Sequence, residues 1–197
     1  MHYIILPFLG LIAAGLHILF NRQARNLKII LEIVLAYGLV FNLGISGLYA
    51  FMGHAFVPDK VAEYIGWPSG SPFQFEVAMA NLSFGVLGIL CLWIRGKFWL
   101  ATIIAFSIFC FGAAYGHIRD IILHQNYALG NAGAPLYSDI IKPLVFIFLY
   151  AFYIKLSKKI TNRSESGWIT RRSGWSEAGS WNGLRSTCRP WMNSSIL

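Results

Sequence analysis

Apolar residues fall in five long runs divided by short polar stretches, at about 3–20, 29–52, 73–94, 98–122 and 137–156. A hydrocarbon core about 30 Å thick takes roughly 20 apolar residues as a helix. In lipid such runs must be helical, because a lone strand would leave its backbone groups unpaired. Their β-branched and aromatic content therefore does not argue for a sheet. The pattern predicts an all-α fold, a polytopic transmembrane helix bundle of about five spans over residues 1–159. A tail, 160–197, follows it. The first run is short and carries Pro7. Nothing basic precedes it, and Arg22, Arg25 and Lys28 follow it. A cleavable signal peptide has the reverse arrangement, so an uncleaved anchor is expected.

The stretches between runs carry their own signals. Pro58-Asp59 begins a short helix reaching Ile65 and closed by Gly66, with Asp59 as its cap. Val61, Ile65 and Trp67 would let it lie on the bilayer surface. Pro68-Ser69-Gly70-Ser71-Pro72 is a turn. Ser71, Pro72 and Gln74 read as N-cap, N1 and N3 of the third span. The loop 125–136 is rich in Asn, Gly and Ala. The tail is rich in Ser, Gly and Arg and holds four of the seven Trp, in loose Ser-Gly-Trp repeats. It reads as a disordered cytoplasmic segment, or as an Arg/Trp surface on anionic lipid.

Composition changes the picture in one respect. Sixteen Lys and Arg against eight Asp and Glu give a net charge of +8, which alone would suggest a nucleic-acid partner. Yet charged residues are 12% and hydrophobic ones 56%, with a mean hydropathy of +0.57. A soluble domain could not hide that much apolar side chain, so no nucleic-acid partner is expected. The lipid bilayer is the expected one. Thirteen of the sixteen basic residues lie on one side of the expected topology, and only Lys60, Arg119 and Lys142 on the other. The positive-inside rule then predicts the N-terminus outside and the C-terminus inside, in a bacterial inner membrane. Trp93 and Trp99 sit where an aromatic belt would be. Lys28 and Glu32, at i and i+4, are spaced for a surface ion pair.

The cysteines, Cys91, Cys110 and Cys188, form no C-x-x-C pair. Disulfide exchange and a Cys-ligated cluster are thereby disfavoured, and Cys91 and Cys110 read as small apolar residues. There is no phosphate-binding glycine motif, dinucleotide fingerprint or H-E-x-x-H. The Asn-x-Ser at Asn81 lies within a span and is no glycosylation site.

Small and polar residues recur at helical spacing within the spans. The stripes are Gly10, Ala14 and His17; Gly38, Asn42, Ser46, Tyr49 and Gly53; Gln74, Ala78, Asn81, Gly85 and Gly88; and Gly112 with Gly116. Small residues permit close helix approach, and Asn42 and Asn81 can hydrogen-bond across it. Ionisable residues concentrate at the outer ends. His117, Asp120 and His124 share one helix face at i, i+3 and i+7. His54, Glu76 and Asp139 come from three other helices to the same level. Glu76, Asn81, His117 and Asp120 are thus candidate ligand-binding residues. His54, His117 and His124 are candidate metal ligands, and Asn42 and Asp139 candidate structural polar groups. The set can bind a divalent metal, relay protons or hold a quinone carbonyl, and His54 with His117 can clamp a haem. It can equally be an interfacial network in which Arg119, Lys142 and Lys60 pair the acids.

The run Phe75-Glu76-Val77-Ala78-Met79-Ala80-Asn81-Leu82-Ser83-Phe84-Gly85-Val86-Leu87-Gly88 resembles the E-x-x-x-ANLS-x-G-x-x-G core of an uncharacterised family of small bacterial inner-membrane proteins. Gly116-His117 and Tyr137-Ser138-Asp139 are similar to that family's other recurring points, and the resemblance covers about 50–152. It implies location and fold rather than chemistry. Glu76 followed by Gly85 and Gly88 is also similar to DoxX-like membrane proteins, some of which are subunits of quinone-linked oxidoreductases. Three functions are therefore expected in turn. The first is a non-catalytic or accessory membrane protein that packs on a partner protein or a second copy of itself. The second is a quinone- or metal-binding redox-linked protein, and the third a small transporter.

Overall fold

The computed structural model of the protein describes residues 2–21 and 26–176. Arg22, Arg25, Cys188 and the tail beyond Ser176 lie outside the described residues. The chain forms α1 (His2–Phe20), α2 (Leu27–Leu39), a π-helical turn (Val40–Ile45), α3 (Ser46–Phe56), α4 (Pro58–Ile65), α5 (Phe73–Leu90), α6 (Lys97–His124) and α7 (Ala134–Ser176). No strand occurs among the described residues. Helix α7 runs on to Ser176, past residue 160 where disorder was expected to begin. Residues 1–157 and 158–197 form separate compact units, and the first of them holds the bundle.

Four helical stretches are long and apolar enough to cross a membrane: Leu27–Phe56, Phe73–Leu90, Lys97–His124 and Ala134–Ile160. They match the second to fifth expected spans. The first differs: its apolar helix, Ile5–Phe20, is shorter than the other four. Successive helices alternate in direction. One end of the bundle therefore carries Lys28, Arg95 and Lys97, and the other carries α4 and the loop from α6 to α7.

At the Arg95 end the helices are tightly packed. Leu35, Leu39, Leu43, Trp99, Ile103 and Phe146 form the centre of the core. Trp99, expected in an interfacial belt, is instead fully buried, and its indole N–H donates to the Cys91 carbonyl at 2.8 Å. A buried indole needs such a partner, and this one also satisfies an orphan carbonyl at the end of α5. Trp93 is exposed. Tyr150 donates from its hydroxyl to the Gly96 carbonyl at 3.1 Å. Glu32 pairs with Arg95 at 2.7 Å, across helices, rather than with Lys28 one turn away.

The closest helix contact joins the α2–α3 segment to α5. A Cβ placed on Gly88 would lie 2.3 Å from the Gly44 nitrogen, and one on Gly47 would lie 2.8 Å from the Gly85 nitrogen. Only hydrogen fits at either position. Gly85 and Gly88 belong to the stripe read on α5, but their partners Gly44 and Gly47 were not on the stripe read for the second span. Asn42, Ser46, Tyr49 and Gly53 of that stripe line a cavity instead, while Gly44 and Gly47 meet α5. The π turn holds an extra residue between α2 and α3. Asn42 sits within the turn and donates its side-chain amide to the Gly38 carbonyl at 3.0 Å. That is the kind of bond that repairs a backbone ladder opened by a wide turn.

Candidate functional site

At the other end the helices part around a chamber of about 1220 Å³. Its floor is the π turn and α3, with Asn42, Ser46 and His54, and Asn81 on α5. Its far wall is α6, where Gly112 and Gly116 face open space: a Cβ on either would meet nothing within 4 Å. This glycine pair, expected to seat a neighbouring helix, seats a void instead. Asp139 and Lys142 on α7, and Tyr3 on α1, complete the lining.

Helix α4 closes the chamber. It has the expected bounds, with Pro58 at its first turn and Gly66 in the left-handed conformation at φ 82°. Pro lacks only an N–H that the first turn leaves unpaired, and Gly alone takes that φ without strain. Asp59 is not its cap; it accepts from the Gly70 N–H at 3.2 Å and steadies the following turn. Its apolar face is turned partly inward: Ile65 is buried and Trp67 exposed, and Val61, Ile65 and Trp67 all line the chamber.

The loop after α6 locks this lid down. Asn126 donates to the Ile65 carbonyl at 2.9 Å and to Asp120 Oδ2 at 2.6 Å. The Gly130 N–H donates to the Tyr64 carbonyl at 3.0 Å. Asp120 also accepts from His124 Nδ1 at 2.6 Å. Asp120 and His124 therefore form a bracket for the loop and do not line the chamber.

Asn131, with 1% of its surface exposed, is the pivot. Its amide donates to the Asn126 carbonyl at 2.8 Å and the His117 carbonyl at 3.3 Å. Its Oδ1 must then accept, so His117 Nδ1, 2.7 Å away, carries a hydrogen. His117 Nε2 faces Asp139 Oδ2 at 3.8 Å, beyond direct hydrogen-bond reach, so either can accept from a hydroxyl placed beside them. Lys142 and Cys110 lie beside the same carboxylate. Pro143, inside α7, has no N–H to return to the Asp139 carbonyl four residues back.

His54 is held from behind. Its Nδ1–H donates to Gln74 Oε1, and Gln74 is buried. Gln74 is thus an orienting group and not part of a capping box: α5 begins at Phe73 after Pro72, without a side-chain cap. Asn81 donates to the Val77 carbonyl at 2.9 Å, within its own helix. Asn42 and Asn81 do not bond to each other; both line the chamber.

Of the candidate ligand-binding residues, the structure brings Asn81 and His117 to the chamber. Asp120 braces the loop, and Glu76 is exposed on the outer side of α5. In the first turn of that helix its charge is favoured by the helix dipole, which explains it without a ligand. His54 and His117 share the chamber, while His124 stands outside it. Among the described residues no three His, Cys, Asp or Glu side chains come together as a metal site. Asn42 and Asp139, read as structural, both line the chamber. Gln74 was read as a helix cap and a stripe position and Lys142 as a cation able to pair the acids, neither as a site residue; Asn126 and Asn131 were not singled out.

A second, narrower cavity of about 470 Å³ runs between α1, α2 and α7. Its walls are apolar apart from five residues, Tyr3, Asn42, Tyr137, Ser138 and Lys142, and all of these but Tyr137 line the chamber too.

No curated protein and no solved structure matches the chain. A family model does match, over residues 1–159, which is wider than the resemblance read at 50–152. It ends where the membrane helices end and leaves out the tail. The chain belongs to DUF6790, a family of unknown function.

Proposed function

We propose that this is a multi-pass protein of the bacterial inner membrane, with its N-terminus outside, that holds a small organic molecule in the chamber. One observation carries the reading. A cavity of about 1220 Å³ lies within the span-forming helices and sets imidazole, carboxylate and ammonium groups against an aromatic and apolar wall. Pockets of this size, with few and convergent polar groups, are the usual form of small-molecule sites. The orientation is supported by Lys28, Arg95, Lys97 and Lys155 at the opposite end.

A quinone is a fitting guest, and one observation favours it. His117 and Asp139 can accept a hydrogen bond from a hydroxyl, the group a reduced quinone carries. The role is then holding or relaying, as an accessory subunit of a redox assembly would do.

The test is extraction of the protein purified in mild detergent, followed by mass spectrometry of the extract. One organic guest per chain is expected, with at least a five-fold loss in Gly116→Leu, which fills the chamber, and in His117→Ala. Glu76→Gln should leave it unchanged. A guest content no higher than that of bulk lipid would end this reading.

A further inference from the structure

The two cavities are neighbours that share four polar lining residues, the neck Tyr3, Asn42, Ser138 and Lys142. Beyond the neck the narrower one is lined along α7 as far as Leu149, along α1 as far as Leu11 and along α2 back to Val34. At 1.5 Å per residue that is about 12 Å, parallel to a spanning helix. Its other walls come from α1 and α2, through Leu11, Val34 and Gly38 among others. Helix α1 packs on α2, the π turn and α3, and not closely on α7. The slot is the space left between them.

Shape and polarity together define the occupant. The chamber is wide and carries hydrogen-bonding groups, whereas the slot is narrow and apolar. The slot also runs in the direction of lipid chains and is somewhat shorter than one leaflet, roughly 15 Å. His117 Nε2 and Asp139 Oδ2 stand 3.8 Å apart, and either can accept a hydrogen bond from a hydroxyl beside them.

We infer that the guest is a single-chain amphiphile. Its hydroxyl-bearing head lies between His117 and Asp139, and its apolar chain passes the Tyr3–Lys142 neck into the slot between α1 and α7. This rests on the chamber being a ligand site, and adds the guest's class and orientation. Such a molecule would lie as it does in the leaflet and could arrive sideways, without crossing water.

The experiment uses the full chain in lipid nanodiscs and two photoreactive 4-alkylphenols. One has its diazirine next to the ring and the other at the chain end. Labelled residues are mapped by mass spectrometry, with unlabelled 4-dodecylphenol or its methyl ether as competitor. The ring probe should label the chamber. The chain-end probe should label slot residues such as Leu11, Val145 and Leu149. Both signals should fall at least ten-fold with dodecylphenol and less than two-fold with the methyl ether. Val145→Trp, or Leu11→Trp should the first fail to fold, should abolish slot labelling and spare chamber labelling.

Three outcomes overturn something specific. Competable chamber labelling without slot labelling removes the chain assignment and leaves the chamber as a site. Equal competition by the methyl ether removes the hydroxyl. Loss of competable labelling by both probes removes the chamber reading as well.

Discussion

Two glycine pairs in this bundle have opposite fates. Gly44 and Gly88 touch: a single added carbon on Gly88 would sit 2.3 Å from the Gly44 nitrogen. Gly112 and Gly116 have nothing within 4 Å of where that carbon would go. The first pair removes volume so that two helices can meet. The second removes volume so that something else can. The same spacing that signals close packing in a membrane helix thus also builds the wall of a cavity. Only the neighbour decides between the two, and the neighbour is not encoded at the glycine.

This contrast can be broken most directly at Gly88. Gly88→Ala should cost about 3 kcal/mol or more, because the backbone of α3 and the π turn cannot yield as a side-chain tip could. A large fall in the melting temperature of the detergent-solubilised protein is the measurement. An unchanged value would mean that the helices are not in contact. Asn131→Leu should cost about 2 kcal/mol, since it strands the Asn126 and His117 carbonyls. It should also speed amide exchange across residues 125–133 while leaving the Arg95 end protected; uniform exchange would deny the loop its separate anchoring.

At the closed end, Trp99→Phe should cost about 1 kcal/mol for the orphaned Cys91 carbonyl and the lost ring contact, read as a modest drop in the same melting curve. Gly116→Ala is the smallest effect and the sharpest control. With open space around it, alanine should be neutral or stabilising by up to about 1 kcal/mol through helix propensity alone. A loss comparable to that of Gly88→Ala would place a helix against Gly116 and erase the comparison.

Much of the architecture was legible in the chain because its signals are local. Pro58 and Gly66 bound α4 through backbone chemistry that needs no partner. The apolar runs locate four long helices because lipid permits little else. Glu76 was legible too, in the other direction. At 100° per residue it lies opposite Gln74, Ala78 and Asn81, and so faces away from whatever that stripe packs on. Its burial at the site was expected from depth alone, and depth does not determine face. Asn126 and Asn131 were hidden for another reason. An asparagine in a loop gives no sign of which carbonyls it will meet, and theirs lie on α4, sixty-one residues earlier for Ile65, and on α6. The chamber itself is a property of helices that part, which no periodicity records.

The π turn at Val40–Ile45 has a consequence for any change in chain length. It holds the surplus of about one residue between two helical segments that must each keep their own face on α5. Deleting one residue within it would let the segment relax to an ordinary α-helix and turn α3 by about 100° relative to α2. Gly47 would leave Gly85, and His54 would leave Gln74, in a single step. Both the closest contact in the bundle and one wall of the chamber therefore depend on a length as well as on the residues that meet there. Alanine substitution along this segment would not reveal it, but single-residue deletion would.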